Sequence, residues 1–84
     1  MVKSTTKYFN SEALALKNAK EVLKKIFEDL EERGYDPIKQ ITGYLISGDP
    51  GYISSYKECR SRLMDLDRNT LIEAMLKSFV KWDI

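Results

Sequence analysis

The chain has 84 residues, with fourteen basic and thirteen acidic side chains, and carries a formal net charge of only +1. This length supports one small domain, and the near-neutral charge argues against a dedicated nucleic-acid binder, whose affinity comes mainly from neutralising phosphates. The sequence has no histidine and one cysteine, Cys59, which excludes an internal disulfide, the usual Cys/His zinc site and histidine-based nucleophile systems. We therefore expect no metal, no cofactor and no enzymatic activity.

The N-terminal residues 1–10 contain two lysines, no acid and the polar cluster Ser4-Thr5-Thr6, without a helical period. They predict a flexible arm that precedes a helical domain over residues 11–84. The arm lacks the apolar segment of a signal peptide, and no apolar run in the chain approaches the length of a membrane span. The expected location is therefore the cytoplasm, without membrane insertion.

A first helix is predicted over residues 12–32, where Ser11 is a suitable N-cap and Glu12 suits the positive end of the helix dipole. Gly34 is a typical helix stop. Apolar residues recur at steps of three and four and form one stripe: Leu16, Ala19, Leu23, Ile26, Phe27 and Leu30.

A second helix is predicted from the pair Asp36-Pro37, which is typical of an N-cap followed by proline at the first helical position. Its expected inner face is Ile38, Ile41 and Leu45, and its expected end is near Gly48. A strand is the competing interpretation of residues 41–46, because several of them are β-prone. Gly43 and the helical spacing favour the helix.

The segment Ser47-Gly48-Asp49-Pro50-Gly51 is dense in turn-forming residues. It superficially resembles a phosphate-binding loop. It lacks the glycine spacing of such a loop and the Lys-Ser/Thr pair that would engage phosphates and Mg²⁺. We expect a structural turn.

Two further helices are predicted after this turn. The third covers roughly residues 54–65, with an apolar stripe of Tyr52, Tyr56, Cys59, Leu63 and Leu66 in which Cys59 is a buried small hydrophobe. The fourth starts at the cap Asp67 and presents a broad apolar face, with Trp82 at its end: Leu71, Ile72, Met75, Leu76, Phe79 and Val80. Four helices with short connections predict an all-α, compact four-helix domain.

Positive charge is concentrated between residues 57 and 68, although acidic residues are interspersed there. Two interpretations are open: a solvated helix face, or a docking surface for an acidic or phosphorylated segment, with Arg60, Arg62 and Arg68 as candidate partner-binding residues. A nucleic-acid site using Lys57 with these arginines is a third hypothesis, which the net charge disfavours.

Residues 34–53 contain a distinctive string of short motifs at fixed gaps. In order they are Gly34-Tyr35-Asp36-Pro37, Gln40-Ile41, Gly43-Tyr44 and Ser47-Gly48-Asp49-Pro50, followed by the aromatic Tyr52. The string resembles the IreB/ReoM family of small regulators in low-GC Gram-positive bacteria. The resemblance continues through Cys59-Arg60 and residues 67–73.

The resemblance implies a helical homodimer with a flexible N-terminal arm that carries a phosphorylated threonine. The kinase implied is a membrane Ser/Thr kinase with extracellular PASTA repeats, opposed by its phosphatase. The unphosphorylated protein would restrain cell-wall synthesis, in part by promoting Clp-dependent degradation of MurA, and phosphorylation would relieve that restraint.

Alignment without gaps back from Gly34 places the family's threonine on Thr6, with Thr5 and Ser4 as alternatives. Other positions depart from the family pattern. Ser54-Ser55 replaces a Pro-Arg pair, and Met64 and Asn69 stand where the family tends to have a basic and an acidic residue. Since only Arg60 and Arg68 of that basic set are kept, the resemblance leaves the client open. A constitutive interaction module without phosphorylation control is the alternative function.

Overall fold

The computed structural model describes the backbone of residues 2–83 and the side chains of residues 12–81. Over that range the fold is all-α and contains no strand. Four α-helices and two short 3₁₀ turns follow one another along the chain: α1 (Val2–Arg33), α2 (Pro37–Ser47), the 3₁₀ turns Pro50–Tyr52 and Tyr56–Glu58, α3 (Cys59–Met64) and α4 (Arg68–Asp83). The predicted four-helix architecture is confirmed.

Helix α1 is the longest element, and its apolar stripe matches the prediction. Ala19, Ile26 and Leu30 are fully buried, and Leu16, Leu23 and Phe27 pack against the core. The helix begins at Val2, however, so Ser11 lies inside it and the predicted N-cap at Ser11 is wrong. The division into an arm over residues 1–10 and a domain over residues 11–84 stays a prediction.

Helix α2 forms where the local signals predict it, and the strand alternative for residues 41–46 is wrong. The Asp36 side chain caps it by accepting a hydrogen bond from the Lys39 N–H at 3.2 Å, and Pro37 occupies the first turn. Gly48 ends it in the left-handed conformation, at φ 76°, which suits a residue without a side chain. The inner face is formed by Pro37, Ile41, Tyr44 and Leu45, whereas the predicted Ile38 is exposed.

The segment after α2 forms a turn, which folds the chain back onto the helix. The Ser47 hydroxyl donates to the Gly43 carbonyl and accepts from the Asp49 N–H. The Asp49 carboxylate then accepts from the Gly51 N–H and caps the first 3₁₀ turn. These bonds hold Tyr52 so close to Gly43 that a Cβ at position 43 would overlap the ring. Gly43 is therefore required by packing, although it lies within a helix.

The third helix starts later than predicted. Residues 54–58 are not α-helical, because Lys57 and Glu58 have positive φ values of 50° and 62°. This conformation is unfavourable for residues with a side chain, so the surrounding contacts must maintain it. Only Cys59 and Leu63 of the predicted stripe are buried; Leu66 is half-buried, and Tyr52 is exposed and outside the helix.

Helix α4 is capped by Asp67, as predicted, through a 3.1 Å hydrogen bond from the Thr70 N–H. It packs mainly on α1 and buries Leu71 and Ala74, with Met75 partly covered. The rest of its predicted apolar face is not buried: Ile72, Leu76, Phe79 and Val80 are all exposed. The side chain of Trp82 lies outside the described residues.

Candidate interaction surfaces

The predicted phosphoacceptors Thr5 and Thr6 belong to the stretch whose side chains are not described. Their backbone forms part of the first turns of α1. Their role therefore rests on the sequence, and the geometry of the described residues bears on the partner-binding predictions alone.

Arg62 is not available to bind a partner, because its guanidinium pairs with the buried carboxylate of Asp29. Its Nη2 lies 2.7 Å from the Oδ2 of Asp29, and Lys25 approaches the other carboxylate oxygen at 3.3 Å. The Asp29 side chain is only 3% exposed, so this carboxylate depends on its two cations. The hydrogen bond from Arg62 lowers the pKa of Asp29 and outweighs burial, which acts in the opposite direction.

Cys59 adjoins the same ion pair and is completely buried, as predicted. Its sulfur accepts from the Arg62 Nη2 at 3.5 Å. Burial is the main influence on this thiol and raises its pKa, which keeps it protonated at neutral pH. A protonated, inaccessible thiol is a packing residue rather than a nucleophile.

Arg60 and Arg68 are exposed, but each also makes a local contact. The Nε of Arg60 donates to the Ile53 carbonyl at 2.8 Å, and the Nη1 of Arg68 donates to the Leu45 carbonyl at 3.1 Å. The Arg68 guanidinium also lies against Gly48. Both arginines therefore hold the loop after α2 in place, and only part of each guanidinium is available to a partner.

The outer stripe of α4, which we define as Ile72, Leu76 and Val80, is an apolar surface without a cover among the described residues. These positions recur every four residues and so form one ridge along the helix. Leu76 and Val80 are 60% and 55% exposed, respectively. A ridge of large apolar side chains in water is typical of an interaction surface.

Beside this ridge lies an apolar cavity of about 670 Å³ between α1 and α4. Its floor and walls include Leu23, Phe27, Ala74, Met75 and Phe79. A second cavity, of about 240 Å³, shares Lys20, Ala74 and Ser78 with it, so the two form one continuous cleft, called here the α1/α4 cleft.

The rim of the α1/α4 cleft is strongly basic. Glu28 is the one acidic residue that lines it. Five lysines line the cleft: Lys17, Lys20, Lys24, Lys77 and Lys81. Lys77 pairs with Glu73 at 3.2 Å, whereas the other four make no ion pair with any residue of the described range.

Among the residues whose side chains are described, no three potential ligands come together in a way that could hold a metal ion. None of the described helices combines the length and apolarity needed to cross a bilayer.

The family comparison identifies the kind of protein that carries these surfaces. The model of the IreB regulatory phosphoproteins matches residues 4–81, which include both candidate threonines and nearly all of α1 to α4. The chain belongs to the IreB family. The resemblance carried by the motifs of residues 34–53 is thereby confirmed, and the IreB description assigns the chain to a class of regulatory phosphoproteins.

Sequence reasoning missed the α1/α4 cleft and the Asp29–Arg62 pair for different reasons. The spacing of Lys17, Lys20 and Lys24 places them on one side of α1, but only packing shows that α4 lies beside them. Asp29 and Arg62 are 33 positions apart, and no local pattern joins them. The one sequence feature that pointed to an interaction surface was the apolar face of the fourth helix, which is broader than a single packing contact can bury.

Proposed function

We propose that this chain is a non-enzymatic regulator that acts by binding other proteins and is controlled by phosphorylation. The observation that carries the proposal is the match to the IreB regulatory phosphoproteins over residues 4–81. The exposed ridge of α4 and the adjoining cleft support it, because they offer apolar area for partners.

The switch is Thr6, with Thr5 as the alternative acceptor. The only charged side chains before Glu12 are Lys3 and Lys7, so this segment is basic without phosphate. A phosphate adds nearly two negative charges and reverses that sign. A partner that recognises the basic segment would lose affinity on phosphorylation, whereas one with an arginine surface would gain it.

The working state is a homodimer formed through the outer stripe of α4. A chain of this size buries a modest fraction of its surface, and pairing two α4 helices would cover Ile72, Leu76 and Val80 without lengthening the chain. The four-residue spacing of the stripe suits ridge-into-groove packing between two such helices.

In the cell, the kinase would be a PASTA-domain Ser/Thr kinase, opposed by its phosphatase. The regulated process would be peptidoglycan synthesis, and with it antibiotic tolerance, through Clp-dependent degradation of MurA. These assignments extend the family resemblance to this chain.

The switch is tested by incubating the full chain with the cytoplasmic domain of the cognate PASTA kinase and ATP, followed by mass spectrometry. We expect phosphate on Thr6 or Thr5 and none on Thr42, an exposed threonine of α2 that serves as the internal control. Phosphate confined to Ser54, Ser55 or Ser61 would contradict the assignment.

Function is then tested by capturing partners from a lysate on wild-type, Thr6→Ala and Thr6→Glu chains. We expect Thr6→Glu to change the set of captured proteins and Thr6→Ala to match the unmodified wild type. Equal capture by all three chains would instead favour a constitutive interaction module.

The dimer is tested by sedimentation of Leu76→Glu beside Ile46→Glu, a matched change on the exposed face of α2. We expect wild type and Ile46→Glu to be dimeric and Leu76→Glu to be monomeric. A monomeric wild type, or a dimer that Leu76→Glu leaves intact, would place the interface elsewhere or remove it.

A further inference from the structure

The lysines of the α1/α4 cleft need an explanation, because their placement has a cost. Lys20 and Lys24 are neighbours on α1 at a spacing of four residues, where like charges destabilise a helix. Both are exposed, and both line the apolar cavity. Because the lining is apolar and the rim is basic, an occupant of this surface must offer both apolar and acidic side chains.

We propose that the α1/α4 cleft is the docking site for an acidic amphipathic helix of a client protein. The inference rests on the proposed function only in taking the chain to act by binding proteins. An apolar face on the incoming helix would cover Phe27, Met75 and Phe79. Acidic residues on the flank of that face would meet Lys17, Lys20 and Lys24.

The shape of the cleft suits this occupant. It runs between two packed helices, and grooves of this kind accept a third helix through residues spaced by three, four and seven. From Lys17 to Glu28 the α1 wall extends about 17 Å, at 1.5 Å per residue, which matches a helix of about three turns.

Charge complementarity decides between this occupant and the others. Five lysines and one glutamate line the cleft, so a basic helix would be repelled, whereas an acidic one would neutralise lysines that lack partners among the described residues. A second copy of the chain would bring its own lysine-rimmed cleft to the contact. The phosphates of a nucleic acid would pair with the lysines, but they would leave the apolar floor of the cleft uncovered.

The test uses the full chain and a pair of synthetic peptides of about twelve residues, designed as amphipathic helices. Both carry leucine at spacings of three and four; one has glutamate and the other lysine on the polar face. Fluorescence anisotropy should show that the glutamate peptide binds and the lysine peptide does not. Binding should weaken as salt is raised.

Variants then locate the binding. We expect the double substitution Lys20→Gln, Lys24→Gln to reduce the affinity for the glutamate peptide about fivefold, because two exposed ion pairs contribute only modestly to binding. The matched control, Arg33→Gln with Lys39→Gln, removes the same charge from two exposed positions outside the cleft that make no ion pair with a described residue, and it should leave affinity unchanged. Phe79→Ser, at a side chain that is 59% exposed and hence not needed for folding, should reduce affinity at least as much.

Equal binding of the two peptides, or equal loss in the Lys20/Lys24 variant and its control, would overturn the proposal. So would binding that appears only in a monomeric Leu76→Glu chain, since a second copy would then cover the cleft. Binding of a duplex oligonucleotide or anionic vesicles in place of the peptide would assign the cleft to those partners. Failure of phosphorylation control would leave the peptide result intact, so the two proposals fail separately.

Discussion

Two sides of the α1 helix differ in how completely they are covered. On one side, Ile26 and Leu30 share a core with Ile53, Cys59 and Leu63, and none of these residues is more than 1% exposed. On the side that lines the cleft, the packing element is α4, which buries Leu71 and Ala74 but leaves more large apolar side chains exposed than it covers. The comparison separates a region that stabilises the fold from a region that is available to partners.

The largest expected effect contrasts two leucines. Leu63→Ala removes a fully buried side chain and should lower the free energy of unfolding by about 3 kcal/mol. Leu76→Ala should change it by less than about 0.5 kcal/mol when the chain is diluted until sedimentation shows a monomer. Urea denaturation of both variants measures the difference, and comparable losses would show that the exposed face of α4 is part of the core.

The Asp29–Arg62 pair gives a pH-dependent prediction within the covered region. Because the folded-state pKa of Asp29 is lowered, its stabilisation is complete above the unfolded value of about 3.9 and is lost as pH falls through the folded pKa. Asp29→Asn should therefore be less stable than wild type at pH 7, and the gap should narrow toward pH 2. Thermal melts at several pH values check this, with Glu31→Gln, an exposed neighbour, as the control. A gap that is constant with pH would contradict the assignment.

Gly43 tests the packing of the turn on α2. Alanine is about 1 kcal/mol better than glycine in a helix, but a Cβ at this position would collide with the Tyr52 ring. We expect Gly43→Ala to destabilise wild type by about 1 kcal/mol and to stabilise a Tyr52→Ala chain by about the same amount. A double-mutant cycle measures the change of sign, and an equal effect in both backgrounds would exclude the contact.

The smallest expected effect concerns the backbone before α3. Glu58 has a φ of 62°, which glycine adopts freely, so Glu58→Gly should stabilise the chain by about 0.5 kcal/mol. Glu31→Gly, inside α1, should destabilise it by about 1 kcal/mol. Chemical denaturation measures the stability of both variants. If both are less stable than wild type, the contacts of the Glu58 side chain stabilise the fold by more than its positive φ costs.

The sequence predicted those elements whose limits are set by neighbouring residues. Asp36-Pro37 and Gly48 delimit α2, and Asp67 caps α4, because each cap acts within a few positions. The start of α3 was not predictable in this way. Lys57 and Glu58 hold a conformation that their own chemistry disfavours, so their neighbours in the fold determine it.

The site was less predictable than the fold. The period of the fourth helix identifies which residues are apolar, but it does not show which of them find a partner within the chain. Leu71 is buried against the rest of the chain, whereas Leu76 is exposed. The three candidate arginines likewise required the structure, which assigns Arg62 to Asp29 and engages Arg60 and Arg68 with backbone carbonyls.

The attachment of α4 mainly to a single helix has a consequence for how the molecule opens. An element with one main packing partner can separate without disturbing the rest, so amides of α4 should exchange with deuterated solvent before those of α2 and the C-terminal half of α1. Any ligand of the cleft contacts both α1 and α4 and would close that opening. Slower exchange along α4 would therefore report occupancy of the cleft even when the ligand is unknown.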